Sequence, residues 1–220
     1  MTNIYTPDLG RSERIGLEEA IFCEGKSSED LLKILSDYHE SGTSCLLTRL
    51  SPATWNFMPR HIKESINYDS VSKTGFFGAV RAANNDTLVA IVTAGTSDIA
   101  VAREASRTLR HAGEASAEFD DLGVAGLWRI LEKEQELQRY PVVIVVAGMD
   151  GALFGVVGGL VGSMVIAVPT SVGYGAANEG HTALSVALAN CAPGLSVVNI
   201  DNGYGAACSA LRALRQIRSR

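Results

Sequence analysis

The sequence has little of what marks several common functions. It holds four cysteines, Cys23, Cys45, Cys191 and Cys208, and no two form a CxxC pair. Its four histidines, His39, His61, His111 and His181, show no metal-ligand spacing. Neither a structural zinc site nor a disulfide framework fits that pattern. No block of lysine and arginine occurs, no aromatic residues are interleaved with basic ones, and the net charge is −5. Nucleic-acid binding therefore has no support. Arg212, Arg215, Arg218 and Arg220 read as the solvated end of a helix. The first residues are polar and carry no signal-peptide pattern, so a reducing cytoplasm is the expected setting.

One long apolar run needs separate treatment. Residues 142–169 would cover a bilayer by length alone. Asp150 lies inside the run, where a charge is costly. Its ends, VVIVV and MVIAVP, are strand-like, and six glycines interrupt the middle. A strand, a helix and a second strand explain it better, because parallel strands buried on both faces read as continuous apolar stretches. No membrane partner is expected.

The turn-rich NNDT at residues 84–87 divides the chain into a small mixed α/β region, 1–85, and a larger domain, 86–220. In the first, AIFCEGKSSEDLLKILSDYHESG reads as strand, loop and helix, with Ser27 or Ser28 as cap and Gly42 as stop. SCLLTRL reads as a second strand. EGKS is no phosphate loop: the motif needs a glycine five residues before Gly25, where Ala20 stands. In the second region, strands at 88–93, 142–146, 165–168 and 195–200 alternate with helices at 99–111, 126–139, 153–161, 181–191 and 206–218. That alternation implies an α/β sandwich, a parallel sheet with helices on both faces. The Gly151/Gly155 and Gly158/Gly162 pairs suit a close helix–helix contact, within one chain or between subunits.

In such sheets ligands bind at the carboxyl ends of the strands. Four loops fall there: AGTSD (94–98), AGMDG (147–151), PTSVGYG (169–175) and NIDNGYG (199–205). They supply Gly95, Thr96, Ser97, Asp98, Gly148, Met149, Asp150, Thr170, Ser171, Asn199, Asp201 and Asn202. Each serine or aspartate has a plain alternative role as a helix cap, worth about 1 kcal/mol. GYGAAN and GYGAAC begin like a dinucleotide fingerprint and lack its last glycine. Cys191 reads two ways. It continues the stripe of Leu184, Ala187 and Leu188, which makes it core, and it ends a helix just before Pro193 and Gly194, where a thiol can reach a pocket. His111 and His181 read as structural residues near helix ends.

AGTSDxxxAxEA, AGMDGALxxVVGGLV, VIAVPTSVGYGA and NCAPGxxVVNIDNGYGAA, in this order, resemble the LarB family of nickel-pincer cofactor biosynthesis, which is related to the PurE family of aminoimidazole ribonucleotide carboxylases and mutases. The resemblance is strong over residues 88–210 and extends upstream through EEAIFCEGKS and LLTRLSP. It implies a PurE-like, flavodoxin-like three-layer core and a homo-octamer. It also implies a substrate, nicotinic acid adenine dinucleotide, which is carboxylated by carbon dioxide (or bicarbonate as its source) and cleaved to pyridinium-3,5-biscarboxylic acid mononucleotide and AMP. Cys191 matches the family's catalytic cysteine. Asp98 and Ser97 match a pair that holds the ribotide in PurE. Asp150 is the expected proton acceptor. Magnesium is the expected ion for the phosphoanhydride step, with Asp98, Asp150 and Asp201 as candidates and no ligand set defined. Ala152 stands where PurE proteins carry their catalytic histidine, which argues against the purine reaction. The rival readings are a PurE-type enzyme and a non-catalytic nucleotide-binding domain.

Overall fold

The computed structural model describes residues 5–8 and 10–219. It divides into two compact units, one made of residues up to Ala82 with His111–Gly113, the other of Ala83–Arg110 and Glu114 onward. The first contains helix α1 (Arg11–Ile15), strand β1 (Ala20–Phe22), α2 (Ser28–Glu40), β2 (Cys45–Thr48), α3 (Pro52–Phe57), α4 (Arg60–Lys63), β3 (Ile66–Asp69) and β4 (Thr74–Phe77). Its sheet has the order β1-β2-β4-β3. β1 and β2 are parallel, and the other pairings are antiparallel. Ser27 caps α2 by accepting from the Asp30 N–H, as the SSED spacing predicts. Leu31, Leu35, Leu47 and Leu50 fill the core.

The second unit runs β5 (Thr87–Thr93), α5 (Ile99–His111), β6 (Ala115–Phe119), α6 (Leu127–Leu137), β7 (Val142–Ala147), α7 (Ala152–Leu160), β8 (Met164–Pro169), α8 (His181–Leu188), β9 (Ser196–Val197) and α9 (Gly203–Arg218). All five strands are parallel, in the order β6-β5-β7-β8-β9. Side chains alternate between the two faces of each strand. Val89, Ile91, Ile144 and Ile166 pack with α5 and α9, while Ala90, Val92, Val143 and Ala167 pack with α6, α7 and α8. Both faces are covered, which is why β7 and β8 read as unbroken apolar runs. Among the described residues no helix is long and apolar enough to cross a membrane.

Two sequence expectations change here. β6 has no strong sequence signal because it is an edge strand of small and polar residues, ASAEF, and only Phe119 is buried. α8 stops at Leu188, and Leu188 is 69% exposed, so the stripe that would have made Cys191 a core residue does not exist. His111 is buried, as the structural reading of it expects; burial lowers its pKa and the Glu18 carboxylate opposes that fall.

The glycine pairs of α7 resolve mainly within the chain: a Cβ on Gly155 would meet Asn190 Oδ1 at 2.9 Å, and one on Gly158 would meet Ala192 Cβ at 3.0 Å. Gly203 marks the closest approach of α9 to α5, since a Cβ there would lie 2.3 Å from the Val101 carbonyl oxygen. Gly203→Ala is expected to destabilise the protein by about 2 kcal/mol, read as a lower melting temperature, because a backbone oxygen cannot move aside as a side chain does.

Candidate active site

The strand order places a topological switch point between β5 and β7, the neighbours whose following helices leave on opposite faces. Backbone strain collects at this edge. Of the seven described non-glycine residues with positive φ, five lie in loops at the carboxyl ends of the strands: Asp121 (58°), Met149 (55°), Asn178 (46°), Glu179 (52°) and Asp201 (53°). A left-handed backbone costs a residue with a Cβ about 1–3 kcal/mol and persists where function or surrounding structure requires it.

Hydrogen bonds join these loops into one arc. The Asp121 N–H donates to Thr93 Oγ1 at 3.1 Å, and the Leu122 N–H to the Thr93 carbonyl at 2.9 Å. The Ala94 N–H donates to the Val146 carbonyl at 3.0 Å, and the Met149 N–H to the Val172 carbonyl at 2.7 Å. The Ser171 N–H donates to Asp201 Oδ1 at 2.8 Å. Gly148 has no room for a side chain, because a Cβ would come within 2.4 Å of the Val172 carbonyl oxygen.

Asp98 is the tie at the centre. It is 3% exposed. Oδ1 accepts from the Thr170 hydroxyl at 2.7 Å, and Oδ2 accepts from the Gly95 N–H at 3.0 Å. Burial is the largest influence on this carboxyl and raises its pKa above the ordinary carboxylate value. Hydrogen bonds from Thr170, Gly95 and Gly148 oppose the rise, and the charge of Asp201 adds to it. Both oxygens are engaged by the protein, so Asp98 holds the β5, β7 and β8 loops together.

The other predicted residues are placed as follows. Thr96 and Ser97 form an exposed turn, and Thr170 is fully buried against Asp98. Ser171 and Met149 are exposed beside it. Asp150 is exposed, and its Oδ1 accepts from the N–H of Ala152, the first residue of α7, at 3.1 Å. Asn199 Oδ1 accepts from the Ile200 N–H at 2.9 Å. Asn202 Oδ1 accepts from Gly205 N–H at 2.7 Å, and Glu104 Oε2 accepts from Tyr204 N–H at 3.2 Å. Those bonds occupy the amides at the start of α9, so GYGAAC is a capped helix start and not a phosphate cradle.

Asp98, Asp150, Thr170, Ser171 and Asp201 thus share one rim. Cys191 does not join it within the chain. The turn after α8 exposes the thiol, and an open groove of about 670 Å³ runs along α8 from Asn178 and His181, past Thr182 and Ser185, to Asn190 and Cys191. Asn190 and Ala192 pack on Gly155 and Gly158, one to two turns along α7 from the rim, about 6–11 Å at 1.5 Å per residue. Cys23 and Cys45 are buried, and burial pushes the Cys23 thiol up to about 12 and raises Cys45 as well. Those two thiols are unsuited to nucleophilic work.

Among the described residues no group of three or more His, Cys, Asp or Glu side chains is arranged to hold a metal ion. Asp98 is already saturated by protein donors, and Asp201 is bonded to Ser171. Asp98, Asp150 and Asp201 therefore do not make a built cation site among the described residues.

The segment after β6 carries no motif in the sequence, yet it lines the rim. Asp120, Asp121 and the turn Val124–Gly126 belong to the rim, and that turn packs against α7. The signal that could have found it is DDLGVAG, a turn-rich stretch between an alternating run and a helical pattern.

Comparison with known proteins agrees with this architecture. The profile of the AIR carboxylase family matches residues 88–219, and that of the LarB/PurE-like N-terminal domain matches residues 2–79. A relative in Methanocaldococcus jannaschii, the uncharacterized protein MJ0165, is 35% identical over 219 residues, covering 90% of this chain and 79% of its own. A five-stranded parallel sheet, a rim of four motif loops in the expected order and two matching domains lead to one assignment: the chain belongs to the LarB-type, PurE-related family of AIR carboxylase-like proteins.

Proposed function

We propose that the protein carboxylates the pyridine ring of nicotinic acid adenine dinucleotide and hydrolyses its phosphoanhydride, yielding pyridinium-3,5-biscarboxylic acid mononucleotide and AMP. The observation that carries this reading is the exposed Cys191 thiol at the end of an open groove, where the helical pattern alone would have buried it.

The chemistry needs such a group. A pyridinium ring and carbon dioxide are both electrophiles. The Cys191 thiolate adds to ring carbon 4 and makes a dihydropyridine whose carbon 5 is an enamine carbon. That carbon attacks carbon dioxide and forms the new C–C bond. A carboxylate, Asp150, takes the carbon 5 proton. The C4–S bond then breaks, the thiolate leaves and aromaticity returns. Water cleaves the phosphoanhydride and releases AMP. Ala152, the first residue of α7, offers no imidazole for the proton transfer of the purine reaction.

A homo-octamer belongs to the same proposal. Met149, Tyr174 and Leu188 are exposed apolar side chains on the rim loops and α8. A second copy covering them would bring a neighbouring rim toward Cys191.

Purified protein incubated with the dinucleotide, bicarbonate and magnesium is expected to give a mononucleotide with one added carboxylate, together with AMP, by mass spectrometry. An unchanged dinucleotide rejects the reading, and turnover of aminoimidazole ribonucleotide instead would assign the purine reaction. Light scattering on the same sample gives the assembly, and a monomeric mass removes the octamer from the proposal.

A further inference from the structure

The rim carries much more negative than positive charge. Its five loops and the first turns of the helices they open span residues 94–102, 120–130, 147–155, 170–184 and 198–206. Six acidic residues stand within them, Asp98, Asp120, Asp121, Asp150, Glu179 and Asp201, against a single lysine or arginine, Arg129. A substrate with two phosphates and a ring carboxylate meets one fixed cation there.

Arg129 is held in place before any ligand arrives. It sits in the first turn of α6, and its Nη1 donates to Asp121 Oδ2. The guanidinium lies across Gly126, where a Cβ would come within 2.6 Å of Nε and 2.9 Å of Nη2. Asp121 is one of the left-handed residues, fixed by its N–H to Thr93 Oγ1, and the Thr93 hydroxyl donates to Asp120 Oδ1 at 3.1 Å. Gly123 closes against the Ala94 carbonyl oxygen, which a Cβ would approach to 2.6 Å. The guanidinium is thereby coupled to the start of the AGTSD loop. Among the described residues its Nε and Nη2 make no hydrogen bond, and the side chain keeps 28% of its exposure. An exposed ion pair alone contributes less than a strained aspartate costs, so Arg129–Asp121 is poorly explained as a device for stability.

We infer that Arg129 reads an anionic group of the substrate, a carboxylate or a phosphate, through the guanidinium nitrogens that Asp121 leaves unused. The inference rests on the rim being the substrate site of the proposed reaction. Arg129 is then a specificity-determining residue, and Asp121 positions it. A planar fork suits both anions, which a lysine ammonium does not reproduce.

The test compares the wild-type chain with Arg129→Gln, Arg129→Lys and Asp121→Asn. Three probes are used: nicotinic acid adenine dinucleotide, its nicotinamide (carboxamide) counterpart, and inorganic pyrophosphate. Affinities come from calorimetry, steady-state constants from the turnover assay, and thermal unfolding confirms that each variant is folded. Arg129→Gln is expected to raise Kd and KM by about 10–100-fold with a much smaller change in kcat. Arg129→Lys should recover part of the loss, and Asp121→Asn should show a weaker form of it. If the ring carboxylate is the anion read, only the acid dinucleotide weakens and the preference over the carboxamide collapses. If a phosphate is read, all three probes weaken together. Equal affinities of wild type and folded Arg129→Gln for every probe overturn the inference while leaving the reaction standing. A wild type that turns over neither dinucleotide sinks the reaction, and the pyrophosphate comparison then decides Arg129 alone. A wild type that binds none of the three overturns both.

Discussion

Cys191→Ser is expected to abolish turnover of nicotinic acid adenine dinucleotide, by about 10⁴-fold or more, while leaving its affinity within a few-fold of wild type. Two properties of sulfur set that size. A thiolate adds readily to an electron-poor ring, whereas a serine hydroxyl stays protonated. The group must also leave once carbon 5 has gained its carboxylate, and an alkoxide is a far poorer leaving group than a thiolate. Binding should survive because the thiol is exposed in a loop and carries no part of the core. The experiment measures single-turnover rates and dinucleotide affinity on the same preparation, with thermal unfolding as control. Rapid quench of the wild type followed by intact-mass analysis should also trap an adduct on Cys191 that the serine variant lacks. Turnover by the variant within 10-fold of wild type would remove covalent catalysis by Cys191 and return the thiol to a local structural role.

That exposure is where sequence and structure part most usefully. The alternation of strands and helices was legible because β5, β7 and β8 are covered on both faces and so consist almost wholly of Val, Ile and Ala. Helix periodicity failed at Cys191 for a physical reason. It assumes that the helix continues, but Asn190 Oδ1 accepts from the Ala192 N–H at 3.0 Å and forms a turn that Pro193 and Gly194 prolong. The thiol leaves the stripe there. The edge strands show the reverse problem. β6 is an edge strand short of apolar residues and leaves no strand pattern in the sequence, whereas LSVVNI at 195–200 is apolar enough to read as a strand but pairs with β8 only over Ser196–Val197. Missing β6 concealed the Asp120–Gly126 loop, and with it Arg129. The motif aspartates were legible as a group, but spacing could not tell a buried tie from an exposed acid. Asp98 and Asp150 look alike as turn aspartates at the ends of β5 and β7, yet one is saturated by three loops and the other is open to solvent.

Asp98→Ala is expected to destabilise the protein by about 3 kcal/mol and to cut turnover by more than 100-fold. The Thr170 hydroxyl and the Gly95 and Gly148 amides each lose their acceptor in a buried place, at about 1 kcal/mol or more apiece. The loops they fix carry Ser97, Met149, Asp150 and Ser171, so geometry at the rim fails with the tie. Asp98→Asn separates this positioning role from direct contact with substrate. Turned with its oxygen toward the Gly95 and Gly148 amides and its amide nitrogen donating to the Thr170 hydroxyl, asparagine keeps at least the Thr170 and Gly95 bonds, and it is expected to lose less than half the stability that Asp98→Ala loses, about 1 kcal/mol, and to keep turnover within about 10-fold. The sign of the pH effect follows from the raised pKa. Between the ordinary carboxylate value of about 3.9 and its own higher value, folded Asp98 binds more proton than the unfolded chain does. Its contribution to stability is therefore fully present below the ordinary value and lost as pH rises through the folded one. Urea unfolding of wild type and Asp98→Asn from pH 4 to pH 8 should show the variant gaining on the wild type across that window. A difference that stays flat with pH would mean that the buried carboxyl ionises as easily as one in water. Loss of turnover in Asp98→Asn with stability unchanged would mean that the carboxylate touches the substrate after all, as its match to the PurE ribotide-binding pair implies.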